Sequence, residues 1–221
     1  MVTLDRPPVN ALETGFGREL AAVLEREAGE ARAIVLTGAG RAFSAGVDTK
    51  AAATLDREGQ RSGVEAINRL VMLMFGLDVP VVAAVNGHAL GGGLVLPLAC
   101  DVVIATRAEC KLGLTEVVAG VPFPAAPLAV CRYRLAPPVF NNLCLTGRVL
   151  GPAEALELGV VDELAEPEQL VPRACGVAAT LAGYPAYARV KEQVRAAARA
   201  EMAQAVAGDP LLAAWLNPKA T

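Results

Sequence analysis

Apolar residues along this chain fall in short unbroken runs, separated by longer stretches with helical spacing. Residues 33–37, 79–85 and 101–105 are β-branched runs of strand length, which predicts strands buried on both faces. Residues 2–4 read as the end of another strand, stopped by Arg6-Pro7-Pro8, and 111–114 and 160–164 as two more. Between them, 12–27 places Phe16, Leu20, Val23 and Leu24 on one helical face. Residues 51–77 do the same with Ile67, Leu70, Val71, Leu73 and Met74. Residues 151–159 carry Pro near the start and Gly at the end, the asymmetry of a compact helix. From Glu168 onward the pattern is helical, broken near Tyr184-Pro185. Strand–helix alternation followed by helices predicts an α/β fold with a helical C-terminal part.

One stretch interrupts this pattern. Residues 86–93, Asn-Gly-His-Ala-Leu-Gly-Gly-Gly, follow the run at 79–85 and precede another apolar run at 94–100. A strand, three glycines and a helix start make a layout suited to an anion: glycine allows close backbone approach, and the first helical turn leaves N–H groups unpaired. Pro97 falls inside that helix, removes a backbone donor and predicts a bend. A second small-residue loop, Phe43-Ser44-Ala45-Gly46-Val47-Asp48, also follows an apolar strand. One N–H from each loop could converge on a carbonyl oxygen as an oxyanion hole. On spacing alone, both loops could equally be tight turns chosen for packing.

The chemistry available is narrow. The triplet does not match G-x-G-x-x-G, no phosphate-loop motif is present, and Ser44 does not sit in G-x-S-x-G. The single histidine, His88, follows an Asn-Gly turn and reads as structural; a Ser-His-Asp triad would have to use it. One histidine with scattered cysteines does not make a metal site. Glu116 lies in a strongly apolar context, Leu112-Gly113-Leu114-Thr115 before it and Val117-Val118-Ala119-Gly120-Val121-Pro122 after it. It is either turned to solvent or held in a pocket with a raised pKa, fit for proton transfer.

Composition bounds the partners. Of 221 residues 54% are hydrophobic and 19% charged, with a net charge of −3, so no basic stripe points to nucleic acid. The mean hydropathy of +0.42 fits a large core and surface buried in an oligomer. Five cysteines with no C-x-x-C pair predict reduced thiols in a cytoplasmic setting, and four of the five, in apolar surroundings, read as small buried hydrophobes. The N-terminus has no signal-peptide layout, and no apolar stretch demands a membrane span.

Residues 43–48, 85–93 and 114–122 resemble the three signature stretches of the crotonase (enoyl-CoA hydratase/isomerase) superfamily. Thr146-Gly147-Arg148, Ala153-Glu154-Ala155 and Gly159-Val160-Val161-Asp162 resemble its later pattern, so the likeness runs over nearly the whole chain. It implies a crotonase-like spiral of ββα units over 1–165, holding a coenzyme A ester site. It also implies a helical oligomerisation region over 166–221 and assembly as a homotrimer or hexamer. The implied substrate is an acyl-CoA thioester, with no separate cofactor, since coenzyme A is part of the substrate. By position, the oxyanion-hole donors are Val47 and Gly92, and the matching glutamate is Glu116. The loop 45–49 (Ala45, Gly46, Asp48, Thr49), together with Gly91, is implied to line the coenzyme A path. Lys50 matches a position that can reach a phosphate, and Val9 and Ala11 match the opposite CoA-facing edge. Residues 51–77 and the C-terminal helices are expected to form the acyl pocket.

The departures from that pattern carry information. The chain opens on the strand that is second in the family, and its C-terminus is shorter. Hydratases of the family use a second glutamate two residues after the triplet, where this chain has Val95. Valine can neither hold a water nor exchange a proton. Moving a double bond from C3–C4 to C2–C3 needs only one carboxylate and an enolate site. The single-glutamate pattern and Pro7-Pro8-Val9-Asn10 resemble the Δ3,Δ2-enoyl-CoA isomerase branch. Two alternatives remain: a hydratase, hydrolase or decarboxylase using His88 or an acid from 51–66, and a non-catalytic acyl-CoA-binding or assembly subunit.

Overall fold

The computed structural model describes residues 1–213 and Trp215. In chain order the elements are β1 (Val2–Leu4), α1 (Thr14–Glu30), β2 (Ile34–Gly38), β3 (Ala42–Ser44), α2 (Thr49–Ala53) and α3 (Arg57–Gly76). Next come β4 (Val81–Val85), β5 (His88–Leu90), α4 (Gly92–Ala99), β6 (Val102–Thr106), β7 (Leu112–Gly113), α5 (Glu116–Ala119), α6 (Ala125–Arg134) and α7 (Pro137–Thr146). The chain continues through β8 (Val149–Leu150), α8 (Pro152–Glu157), β9 (Glu163–Ala165), α9 (Pro167–Ala182) and α10 (Tyr187–Ala207) to a 3-10 turn, Pro210–Leu212.

The strands form two sheets, in the orders β1-β2-β4-β6-β9 and β3-β5-β7-β8. Each of β2, β4 and β6 lies in the first sheet, and the strand that follows it lies in the second, before the chain enters a helix. That repeat is the spiral of ββα units expected from the family likeness. The first sheet is parallel throughout; the second is parallel except where β8 runs against β7.

Unbroken apolar strands follow from burial on both faces. Val35, Val82, Ala84 and Ile104 pack beneath Leu170, Ala174 and Ala178 of α9. The alternate residues Ile34, Leu36, Val81, Ala83, Val85, Val103 and Ala105 face the main core with α1, α3 and α4. The long C-terminal helix α10 is fastened by a buried ion cluster. Asp101 accepts from Lys191 Nζ and Arg195 at 2.8 Å each and from the Val81 N–H at 2.7 Å. Arg195 also donates to the carbonyls of Phe75 and Cys100 and lies 4.2 Å from the Phe75 ring centroid. Cys100, Cys110, Cys131 and Cys144 are buried free thiols, and Cys175 is exposed. Among the described residues no helix is long and apolar enough to cross a membrane.

Several boundaries differ from expectation. The loop read at 43–48 begins in a strand, β3, and the turn at 86–93 contains β5. Residues 51–77 are two helices, because Asp56 caps a new one by accepting from the Gly59 N–H at 2.8 Å. The strand expected at 160–164 is β9, shifted toward the C-terminus. Pro97 does lie inside α4.

Candidate active site

Two turns meet at the ends of β3 and β5, which pair in parallel. Both chains leave the second sheet on the same side, so their next residues are neighbours. Gly46 and Gly91 hold φ of +77° and +54°, a region that favours glycine. The backbones are also too close for side chains: a Cβ on Gly46 would stand 2.5 Å from the Leu90 carbonyl oxygen, and one on Gly93 would overlap the Ser44 carbonyl.

The N-terminal segment 9–12 braces this junction. The Ala45 N–H donates to Val9 O at 2.9 Å and the Leu12 N–H to Gly46 O at 2.7 Å. Ser44 Oγ donates to Asn10 O at 2.7 Å and accepts from the Gly46 N–H at 3.1 Å. Asn10 is buried with φ of +52°, and its amide donates to the carbonyls of Ala42 (2.9 Å) and Phe43 (3.2 Å). Among the described residues no acceptor takes the N–H of Val47 or of Gly92. Gly92 opens α4, where first-turn donors have no partner within the helix.

β7 brings the third component. It runs parallel to β5, with the Gly91 N–H donating to Gly113 O at 2.8 Å, so the chain after β7 emerges beside Gly91. Glu116 is the first residue of α5, and a Cβ on Gly91 would stand 3.5 Å from its Oε1. The side chain is 9% exposed and its Oε2 is buried without a partner among the described residues. Burial raises its carboxyl to about 7, while its own backbone N–H pulls the other way. An unpaired buried carboxyl in that range can both take and give a proton near neutrality.

Two adjoining cavities hold these groups. One, of about 190 Å³, is lined by Ala45, Val47, Thr49, Gly91, Gly92 and Glu116, closed by Pro122, Pro124 and neighbours. The other, of about 320 Å³, is mainly apolar, with Leu12, Leu70, Val71, Val95 and Leu96 along its walls. Val47, Ile67, Gly92, Pro127 and Trp215 border both.

The sequence-predicted residues divide accordingly. Val47, Gly92, Glu116, Ala45, Thr49 and Gly91 come together, and Gly46 supports them from behind. Asp48 lines the apolar cavity, and its Oδ1 accepts from the Ala51 N–H at 2.9 Å as the cap of α2. Val9, Ala11 and the exposed Lys50 lie outside both cavities. His88 also lines neither; its Nδ1 accepts the Lys111 N–H at 3.0 Å. The acids of 51–66 stand away as well, Asp56 capping α3 and Glu65 paired with Arg61. Of the expected acyl-pocket segments, α3 lines the apolar cavity and the long C-terminal helices do not; Trp215 takes that side. Asn10 and Trp215 are the residues that sequence reasoning missed. A signal existed for both: a polar residue between Val9 and Ala11, and the only tryptophan in the chain.

With this geometry in view, the enoyl-CoA hydratase/isomerase family model matches residues 1–214. The chain belongs to that family of enzymes, which act on CoA thioesters. Carnitinyl-CoA dehydratase from Escherichia coli (strain SMS-3-5 / SECEC) is 35% identical over 176 residues, covering 78% of this chain and 67% of that protein. The crystal structure of a probable enoyl-CoA hydratase, EchA3, from Mycobacterium tuberculosis H37Rv superposes with a TM-score of 0.87 at 29% identity, covering 93% of this chain and 88% of the other. Human mitochondrial Δ3-Δ2-enoyl-CoA isomerase gives 0.86 at 26% identity, covering 90% and 80%.

Proposed function

We propose that this chain moves the double bond of a 3-enoyl-CoA into conjugation with the thioester, as a Δ3,Δ2-enoyl-CoA isomerase. One observation carries the reading: among the described residues Glu116 is the single carboxylate lining the smaller cavity, whereas the two acids of the larger one, Glu13 and Asp48, are engaged by Arg6 and by the Ala51 N–H. The thioester oxygen accepts from the N–H groups of those two residues. Glu116 removes a proton from C2, the C–H electrons form C2=C3, and the former C3=C4 pair takes the proton back at C4. The enolate charge rests on the thioester oxygen meanwhile, and each donor contributes about 10²–10³-fold in rate. Val95, where hydratases of the family carry a second glutamate, is an apolar wall of the adjoining cavity and offers no group to orient a nucleophilic water. Ala45, Gly46, Asp48, Thr49 and Gly91 shape the coenzyme A path, with Lys50, Val9 and Ala11 at its outer edge. No cofactor beyond the substrate's own coenzyme A is required.

Glu116→Gln tests this directly. With 3-enoyl-CoA as substrate, the variant is expected to lose about 10²–10⁴-fold in turnover while retaining CoA-ester binding. Undiminished turnover overturns the mechanism. A second reading, dehydration or hydration of an acyl-CoA, is favoured by the 35% identity to carnitinyl-CoA dehydratase. It requires a second proton-transfer group, and the product's oxygen content separates the two readings.

We also propose a homotrimer or a hexamer. Val117 and Val118 on α5 lie close to Gly147, and with Leu145 and Val149 they form an exposed apolar cluster (41–74% exposed) beside the site. Contiguous apolar surface of this kind marks association. The buried free thiols fit a cytoplasmic setting.

A further inference from the structure

The two cavities meet at a junction flanked by Trp215, Ile67 and Pro127, with Val47 and Gly92 opposite. Glu116 lies on one side of this junction only. The reacting carbons must therefore stay near Glu116, and an acyl tail continues through the junction into the apolar cavity of about 320 Å³. That volume is at the small end of the ~300–1,000 Å³ range of ligand pockets.

Trp215 is the largest of the bordering side chains and is held in place. It is 5% exposed and packs with Ala52 and Val64. Its Nε1 donates to Pro122 O at 3.1 Å, on the segment that follows Glu116 and lines the same cavity. The turn just before it is anchored by the buried Asp209, which accepts from Asn68 Nδ2 (3.0 Å), the Ala125 N–H (2.8 Å) and the Leu211 N–H (2.9 Å). Asn68 in turn accepts from the Ala126 N–H at 2.9 Å. A rigid indole at a junction between two fixed elements sets a width that the substrate must fit.

We infer that Trp215 is a specificity-determining residue that selects unbranched acyl chains by narrowing the passage between the Glu116 compartment and the apolar pocket. This rests on the proposed acyl-CoA isomerase reading. A straight chain passes beside the indole; a methyl branch just beyond C4 collides with it.

The test compares straight-chain and 5-methyl-branched 3-enoyl-CoA esters with the wild-type chain, Trp215→Ala and Trp215→Phe. Trp215→Ala is expected to raise the branched-to-straight ratio of kcat/KM at least tenfold, and Trp215→Phe, which keeps an aromatic wall, to change it much less. Since Trp215 is the only tryptophan, wild-type emission reports the junction. Emission is expected to shift on binding saturated hexanoyl-CoA and to stay unchanged with free coenzyme A. An unaltered branched-to-straight ratio in Trp215→Ala overturns the inference, as does identical emission with the two ligands if that variant does not fold. Absence of wild-type turnover on every 3-enoyl ester, with the emission shift intact, counts instead against isomerisation and leaves the acyl path standing.

Discussion

At the scale of single residues, the site depends on what glycine omits and on what burial does to one carboxyl. Gly93→Ala drives a Cβ into the Ser44 carbonyl, a backbone atom that cannot swing aside. A Cβ on Gly92, by contrast, meets Leu12 and Val47 at 3.5–3.8 Å, ordinary contact distances. Gly93→Ala is therefore expected to lower the melting temperature sharply, by about 1–3 kcal/mol or more of stability, with Gly92→Ala close to wild type. Thermal unfolding followed by circular dichroism checks the contrast. Glu116 adds a pH signature. Its carboxyl, raised to about 7 from 4.5, must be ionised to take the C2 proton, so kcat/KM should rise with pH through about 7. Stability moves the other way. Between pH 4.5 and 7 the folded chain binds the proton more tightly than the unfolded one, so this group's contribution falls as pH increases and levels off above 7. Glu116→Gln removes that loss of up to about 3 kcal/mol, so its advantage in melting temperature over wild type should be small at pH 4 and largest at pH 8. A constant difference across that range contradicts the buried carboxyl.

At the scale of elements, the segment 9–12 and the ion cluster under α10 do the positioning. Asn10→Ala leaves the carbonyls of Ala42 and Phe43 short of a donor beneath the Val47 turn. It should cost about 1–3 kcal/mol. Its turnover should also fall through kcat more than through KM, because the oxyanion donor shifts while the acyl cavity stays. Asp101→Ala strands two buried cations, with an expected loss of about 3–5 kcal/mol, measured by urea denaturation. The first sheet was legible in the sequence because doubly buried strands leave unbroken β-branched runs, as at 81–85. The second sheet was not. β3 and β5 are three residues long and end in glycine-bearing turns, so each reads as a loop, although their pairing is what brings Val47 beside Gly92. The helices α6 and α7 are ten residues each, and α7 buries only Leu143 and Cys144, too little to impress a period on the sequence. Glu116 and the two glycine turns were located by motif likeness. The burial of Glu116 depends on how the turns at 45–49, 91–92 and 121–127 pack around it, and the role of Asn10 on carbonyls more than thirty residues away, so the polar residue between Val9 and Ala11 marks a position without revealing its partners.

At the scale of the whole molecule, the spiral holds the proposed site at the ends of its second sheet, with exposed apolar residues beside it. Val118→Asp places a charge in the exposed cluster of Val117, Leu145 and Val149. If the proposed trimer or hexamer forms through this face, sedimentation should show the wild-type chain assembled and the variant monomeric; a variant as assembled as the wild type would place the interface elsewhere. One buried carboxyl and two backbone donors are proposed to relocate a double bond without adding water. That relocation is tested most directly by incubating 3-enoyl-CoA with the wild-type chain in water enriched in oxygen-18 and analysing the product by mass spectrometry. The expected product is conjugated 2-enoyl-CoA at the mass of the substrate, free of the label. A 3-hydroxyacyl-CoA carrying oxygen-18 would contradict it.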